Sequence, residues 1–340
     1  MKAVFMPYLG AMWDALESVW MEYDKDPLWE TAVVPIPYYD RNPDRSFGQL
    51  HYEGDRLPGY VPVVSYEAYD LEKEHPDVIY IHNPYDGMNL VTSVHPDYYS
   101  EVLKRYTDKL VYIPYFVYPR PDPSDAVFLS EIDCGSHTPA IYQADEIIVQ
   151  SDTVRRCYID SLVRTDGEAS RKKWERKIIN GGSPKLQKAA HIREMSYQYP
   201  QKWLSTIYKN DGTRKKVYFF NTTIAALLQQ DEAMLDAIES VFDVFVRFRE
   251  IAVLLWRPHP LLEATIHAMR PHLAERYRQL VEKFKADGTG IFDDSPDMYM
   301  AISISDVYFG DRSSLVEIFE AAGIPVILRK TGATATHAQP

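Results

Sequence analysis

Two short stretches hold residue types that phosphate chemistry needs. Trp256-Arg257-Pro258-His259-Pro260 sets a permanent cation and an imidazole in a backbone that two prolines stiffen. An arginine beside a histidine that titrates near neutral pH suits phosphate binding or proton transfer. Asp306-Val307-Tyr308-Phe309-Gly310-Asp311-Arg312-Ser313-Ser314 reads as a strand, a tight turn with small hydroxyl residues, and the start of a helix over Leu315 to Ala322. The free N–H groups at such a start form a seat for phosphate, and Ser313 and Ser314 add hydroxyl donors. Glu317, one turn in, is placed to accept bonds from a ribose. Ser313 as a simple N-cap and Glu317 as a first-turn partner of the helix dipole account for the same residues without a ligand.

Both stretches need a sheet that presents them at one edge. The first half of the chain gives short buried-strand patterns at Lys2 to Pro7, Thr31 to Ile36, Asp77 to Ile81, Lys109 to Tyr115 and Glu146 to Gln150, with helical spacing between them. Pro37 to Tyr60 and Tyr118 to Pro123 read as long irregular segments. A charged helix ends before Gly181, Gly182 and Pro184, and the polar stretch Lys209 to Lys216 marks the expected boundary between residues 1–208 and 209–330. Beyond it the pattern predicts strands at Val217 to Phe220, Ile251 to Trp256, Gly290 to Phe292, Asp306 to Phe309 and Ile324 to Leu328. Between the first two, Ile224, Leu227, Leu228, Leu235, Ile238, Phe242 and Phe245 follow the spacing of one amphipathic helix. Residues 331–340 read as a loose tail. The fold class expected is α/β, with two Rossmann-like parallel-sheet domains and a site in the cleft at the carboxyl ends of their strands.

Composition narrows the function. With 37 basic and 49 acidic side chains the formal charge is −12, which argues against nucleic acid as a partner. Two cysteines, Cys134 and Cys157, are too few for a disulfide framework and imply a reducing, cytoplasmic setting. No apolar run approaches the ~20 residues of a bilayer span, so membrane association is at most peripheral. G-x-G-x-x-G, G-x-x-x-x-G-K-[ST] and H-E-x-x-H are absent, and the ten histidines are scattered, so neither a cofactor nor a metal is expected. The 25 tyrosines, 13 phenylalanines and 6 tryptophans fit aromatic packing or contacts to polyols.

R-P-H-P, then a strand-turn-helix of the form D-x-S-S, then Gly323-Ile324-Pro325-Val326-Ile327, resembles the CDP-glycerol glycerophosphotransferases, the teichoic-acid polymerase family of GT-B-like fold. Matches in the same order are Ala144 to Ser151 (ADEIIVQS), Gly182-Ser183-Pro184-Lys185, and Phe220-Asn221-Thr222-Thr223; together they cover residues 105 to 330. The resemblance implies a transferase that moves glycerol phosphate from a CDP-activated donor to a hydroxyl of a cell-envelope polymer or primer, with a polyol-phosphate or glycan acceptor. It implies donor contacts from Arg257, Asp311, Ser313, Ser314, Glu317, Gly182, Ser183, Asn221 and Thr222, and catalysis involving His259.

Three departures accompany it. The family's W-H-G-T motif has no counterpart at Tyr112-Ile113-Pro114-Tyr115-Phe116, the arginine usual near Asn221-Thr222-Thr223 is missing, and Ile318 stands where an acidic residue is common. His82, in His82-Asn83-Pro84-Tyr85-Asp86, and His137, in Ser136-His137-Thr138-Pro139, are the candidates to replace the missing acceptor-side base; each also reads as an ordinary loop histidine. Other GT-B enzymes share the phosphate-binding turn, so a nucleotide-sugar glycosyltransferase, a 2-epimerase or a non-catalytic nucleotide-binding homologue remain as alternatives.

Overall fold

A computed structural model of the chain describes residues 1–42, 44–295 and 297–329. The expected tail at 331–340 lies outside the described residues. The chain forms two compact units, Met1–Lys188 and Ala189–Pro340. Lys209 to Lys216 falls inside the second unit, where a bridge between Tyr208 and Arg214 closes a turn. The helix Gln201–Ile207 just before it packs on the second unit's sheet, with Trp203 and Ile207 buried.

In the first unit, β1 (Lys2–Met6), β2 (Glu30–Val33), β5 (Val78–Ile81), β7 (Lys109–Tyr112), β8 (Glu146–Val149) and β9 (Ile178–Asn180) form a parallel sheet in the order β2-β1-β5-β7-β8-β9. Alternate residues go to opposite faces. Val4, Met6, Ile79, Ile81, Leu110 and Tyr112 join one apolar cluster, while Ala3, Phe5, Val78, Tyr80, Val111 and Ile113 join another. Helices cover both faces, which is why these strands read as unbroken apolar runs. Pro37 to Tyr60 is not irregular throughout: β3 (Tyr38–Arg41) and β4 (Phe47–His51) pair antiparallel with each other, and β3 pairs with β6 (Thr92–Val94).

The second unit carries β10 (Lys216–Thr222), β11 (Ala252–Pro258), β12 (Ile291–Phe292), β13 (Val307–Gly310) and β14 (Val326–Leu328) as a parallel sheet, β12-β11-β10-β13-β14. The helix expected over 224–245 is two, Ile224–Gln230 and Glu232–Arg247, because Asp231 takes φ 52°, ψ −125° and breaks the run. Trp256, fully buried, meets Phe242, Phe284 and Phe292 at centroid distances of 5.0 to 5.4 Å. Aromatic pairs of this kind are worth about 0.5–1.5 kcal/mol each beyond area burial, so the end of β11 is firmly held.

Gly310 fixes how close β13 comes to β10. A Cβ there would lie 2.6 Å from the Asn221 carbonyl oxygen and 2.9 Å from its nitrogen. Gly310→Ala is therefore expected to force the two strand ends apart and lower stability by roughly 1–3 kcal/mol, the usual cost of overpacking. Thermal unfolding checks this: an unchanged midpoint would mean that β10 and β13 have room to spare.

Candidate functional site

The carboxyl ends of β11, β10 and β13 lie side by side, and their register brings the two chemistry-bearing stretches to one edge. Asn221 on β10 pairs with Arg257 on β11 on one side and with Gly310 on β13 on the other. The Asn221 side-chain amide donates to the Ser313 hydroxyl at 3.1 Å, so the serine turn is tied to the central strand. Thr222 is fully buried; its hydroxyl accepts the Trp256 indole N–H (3.2 Å) and its carbonyl accepts the His259 amide (3.0 Å).

Two buried ion pairs frame this edge. Arg257 donates through Nη1 to Asp293 and through Nη2 to the Ser295 carbonyl (2.8 Å), with 10 % of its side chain exposed and 1 % of that of Asp293. The guanidinium is thus a held charge with its own counter-ion. Asp311 accepts four hydrogen bonds: from the Thr223 amide (3.0 Å) and hydroxyl (3.2 Å) through Oδ2, and from Arg329 Nε (3.1 Å) and Nη2 (2.8 Å) through Oδ1. A carboxylate so saturated organises the turn; its oxygens are committed to the protein. Asp293 and Arg329 were not singled out from sequence, although each follows a strand directly, where a polar side chain reaches the same edge; Thr223 closes the Phe220-Asn221-Thr222-Thr223 match without a role of its own there.

His259 is solvent-exposed at the end of β11. Its Nδ1 accepts the Leu261 amide at 3.1 Å, which assigns the ring proton to Nε2 in the neutral form. Desolvation by the surrounding protein lowers its pKa, and in the neutral form the ring offers one N–H donor at Nε2. The helix expected to open at Ser313 runs Leu315–Ala321, with Ser314 at its N-cap position but giving no side-chain cap. Ser313 Oγ instead accepts the Leu315 amide at 3.3 Å. Glu317 sits in the first turn, half-buried.

The remaining expected site residues belong to the first unit. His82 is fully buried with both ring nitrogens engaged: Nε2 accepts the Tyr8 amide (3.0 Å) and Nδ1 donates to the Met12 carbonyl (3.1 Å). It ties the end of β1 and the following turn to β5. His137 ends the helix Ala126–Ser136 and contacts the Asp133 carbonyl (2.8 Å) through Nδ1 and the Thr165 hydroxyl (2.8 Å) through Nε2. Thr165 lies in the last turn of the helix Asp152–Asp166. Gly182 (φ +83°) and Ser183 follow β9. Just beyond them Lys185 pairs with Asp14 (2.9 Å) and Lys188 with Glu17 (2.6 Å), all four largely buried. Among the described residues no three His, Cys, Asp or Glu side chains are grouped to hold a metal, and no helix is long and apolar enough to cross a membrane.

The fold is α/β, two Rossmann-like parallel-sheet units of the GT-B type. It is similar to that of the UDP-GlcNAc 2-epimerase of Methanocaldococcus jannaschii in complex with UDP-GlcNAc and UDP (TM-score 0.56, 11 % identity, covering 96 % of this chain and 83 % of that one). The UDP-GlcNAc 2-epimerase of Neisseria meningitidis bound to UDP-GlcNAc is also similar (0.54, 10 %, 97 % and 83 %). The wall teichoic acid polymerase TagF aligns with a TM-score of 0.47 at 13 % identity, over 96 % of this chain and 69 % of that one. No family model and no curated protein matches the sequence.

Proposed function

We propose that this chain is a GT-B-type transferase that moves a glycerol-phosphate or related polyol-phosphate unit from a CDP-activated donor to a hydroxyl of a cell-envelope polymer or primer. One observation carries the reading: the R-P-H-P and D-x-S-S stretches, far apart in sequence, flank the same strand end at Asn221. In the transfer, the acceptor hydroxyl oxygen bonds to the phosphorus that bears the polyol, the bridging P–O bond breaks, CMP leaves, and the hydroxyl proton passes to solvent. That step asks the protein for positioning and charge stabilisation more than for covalent chemistry. His259 Nε2–H and the Ser314 hydroxyl would donate to the pyrophosphate. Arg257, neutralised by Asp293, would hold the end of β11 in place behind it, and Asp311 would hold the turn through Thr223 and Arg329. His82 and His137 have both ring nitrogens bonded within the protein, so the reading places no proton transfer on them.

The likeness in fold to UDP-GlcNAc 2-epimerases favours a second reading, a nucleotide-sugar enzyme using the same edge. Calorimetric titration with CDP-glycerol, CDP-ribitol and UDP-GlcNAc separates the two, and a CMP-release assay separates an enzyme from a binding protein. Charge-assisted bonds are worth roughly 1.5–3 kcal/mol each, so His259→Ala and Ser314→Ala are each expected to weaken CDP-glycerol binding by about ten- to a hundredfold. Ser46→Ala, in the β3–β4 turn, should bind like the parent. Unchanged affinity in both test variants, or equal loss in the control, would remove this edge from the donor role.

A further inference from the structure

A second candidate site lies on the flank of the second unit's sheet. Between the helix Gln201–Ile207, the last turn of the helix Ala274–Asp287 and the edge strand β12 is a cavity of about 150 Å³, open to solvent. Its lining divides by chemistry. Trp203 and Ile291 are buried and Phe292 is half-buried, which gives aromatic and apolar walls, while Lys202, Lys285 and Asp294 are exposed around them. The Lys285 ammonium lies 4.1 Å from the centre of the Phe292 ring and 3.4 Å from Asp294 Oδ2, so its charge is held over the aromatic wall. Asp293, between Phe292 and Asp294, is turned away into its buried pair with Arg257, and the cavity shares no side chain with the strand-end edge.

We infer that this cavity binds a small aromatic monocarboxylate, its ring against Trp203 and Phe292 and its carboxylate toward Lys202 and Lys285. A cavity of this volume takes one benzene-sized ring. Two aromatic walls favour a ring with a π-face, which meets them in offset or edge-on contact. The charge at the mouth sets the substituent. Lys202 and Lys285 against Asp294 leave a surplus of one positive charge, which a single carboxylate on the ligand offsets. A phosphate monoester, at about −1.5 to −2 near neutral pH, overshoots that surplus and also faces the Asp294 carboxylate. An amine is repelled by both lysines, and an uncharged ring forgoes the attraction. None of these residues is assigned to the donor, so the site stands apart from the transferase reading.

Fluorine NMR line broadening on the full chain tests the site with 4-fluorobenzoate, 4-fluorobenzamide, 4-fluorophenyl phosphate and fluoroacetate. The benzoate is expected to bind roughly fivefold more tightly than its uncharged isostere, the benzamide, which is the scale of two solvent-screened ion contacts. In about 1 M salt that ratio should shrink toward one. Fluoroacetate, which has the charge without the ring, should show no broadening. Lys202→Gln combined with Lys285→Gln should bring the benzoate down to the level of the benzamide and leave the benzamide unchanged, so the neutral probe distinguishes lost charge from a damaged cavity. Lys283→Gln, the same loss of charge at an exposed position of the same helix outside the lining, should bind like the parent. Thr206→Phe, which fills the cavity from the helix Gln201–Ile207, should abolish binding of both rings; if it does not fold, the lysine variants still decide. No broadening of the benzoate, equal affinity for benzoate and benzamide, tighter binding of the phenyl phosphate, or the same loss in Lys283→Gln as in the double variant would overturn the inference.

Discussion

Arg257→Ala is expected to destabilise the second unit by about 3–5 kcal/mol, the usual consequence of stranding one partner of a buried ion pair. Asp293, with 1 % of its side chain exposed, would lose the guanidinium that its Oδ2 meets and could regain little solvent. Asp293→Ala should do the same from the other side, leaving Arg257 buried with only Ser295. The pairing itself need not be strongly favourable, because two charges desolvated together roughly cancel their mutual attraction. Arg257→Met with Asp293→Leu is therefore expected to be much milder than either single alanine variant. Urea unfolding followed by tryptophan fluorescence checks this, with Trp256 beside Arg257 as a reporter on the second unit, and the two units fitted as separate transitions. Single variants as stable as the parent, or a double variant as unstable as the singles, would defeat the argument. A practical consequence follows for function: loss of activity in Arg257→Ala reports on donor binding only after the stability loss has been measured.

The two parallel sheets were legible because a strand buried on both faces leaves a mark in its own residues, as in Val78–Ile81 and Ala252–Trp256. The antiparallel strands β3, β4 and β6 leave none. Each has only three to five residues, β3 carries Asp40 and Arg41 because one side meets solvent, and its partner β6 lies some fifty residues away. Asp231 was missed for a related reason, since the apolar spacing continues across it while the backbone does not. In the site, the sequence marks Arg257, His259, Asp311 and Ser313 by their place at strand ends. It does not reveal that Asp293 neutralises Arg257, or that Arg329, after β14, reaches the Asp311 carboxylate. Those pairings depend on the strand order β12-β11-β10-β13-β14, which the order of residues along the chain does not contain. His82 shows the opposite limit: a histidine at a strand end looks like a proton carrier until both nitrogens are found bonded to backbone.

That bonding makes His82 a pH liability for the first unit. Complete burial holds its pKa at about 3, with the Met12 carbonyl bond opposing and Lys185 reinforcing the shift, whereas the unfolded chain titrates near 6.5. Between those values the unfolded chain binds a proton that the folded one refuses, so the stability this group permits is complete above pH 6.5 and is lost as pH falls toward 3. The whole effect is on the order of 5 kcal/mol at 1.36 kcal/mol per pH unit. Asp86 works in the opposite sense: burial raises its pKa to about 6, so the folded chain keeps a proton that the unfolded chain has released, and stability is regained as pH falls from 6 toward 3.8. The parent's own pH profile therefore mixes both groups, together with His259, whose lowered pKa acts in the direction of His82. Subtraction removes the mixture. His82→Gln keeps an amide that donates to Met12 and accepts from Tyr8 but does not titrate, while Asp86 and His259 are common to both proteins. The stability of the parent minus that of His82→Gln should fall by about 2 kcal/mol between pH 7.5 and pH 5, with the loss concentrated below 6.5. Urea midpoints and slopes for the first unit at five or six pH values give the difference curve. A flat curve would mean that the imidazole is protonated in the folded state or exchanges with solvent, and that the link between Tyr8 and Met12 is not the closed one the structure describes.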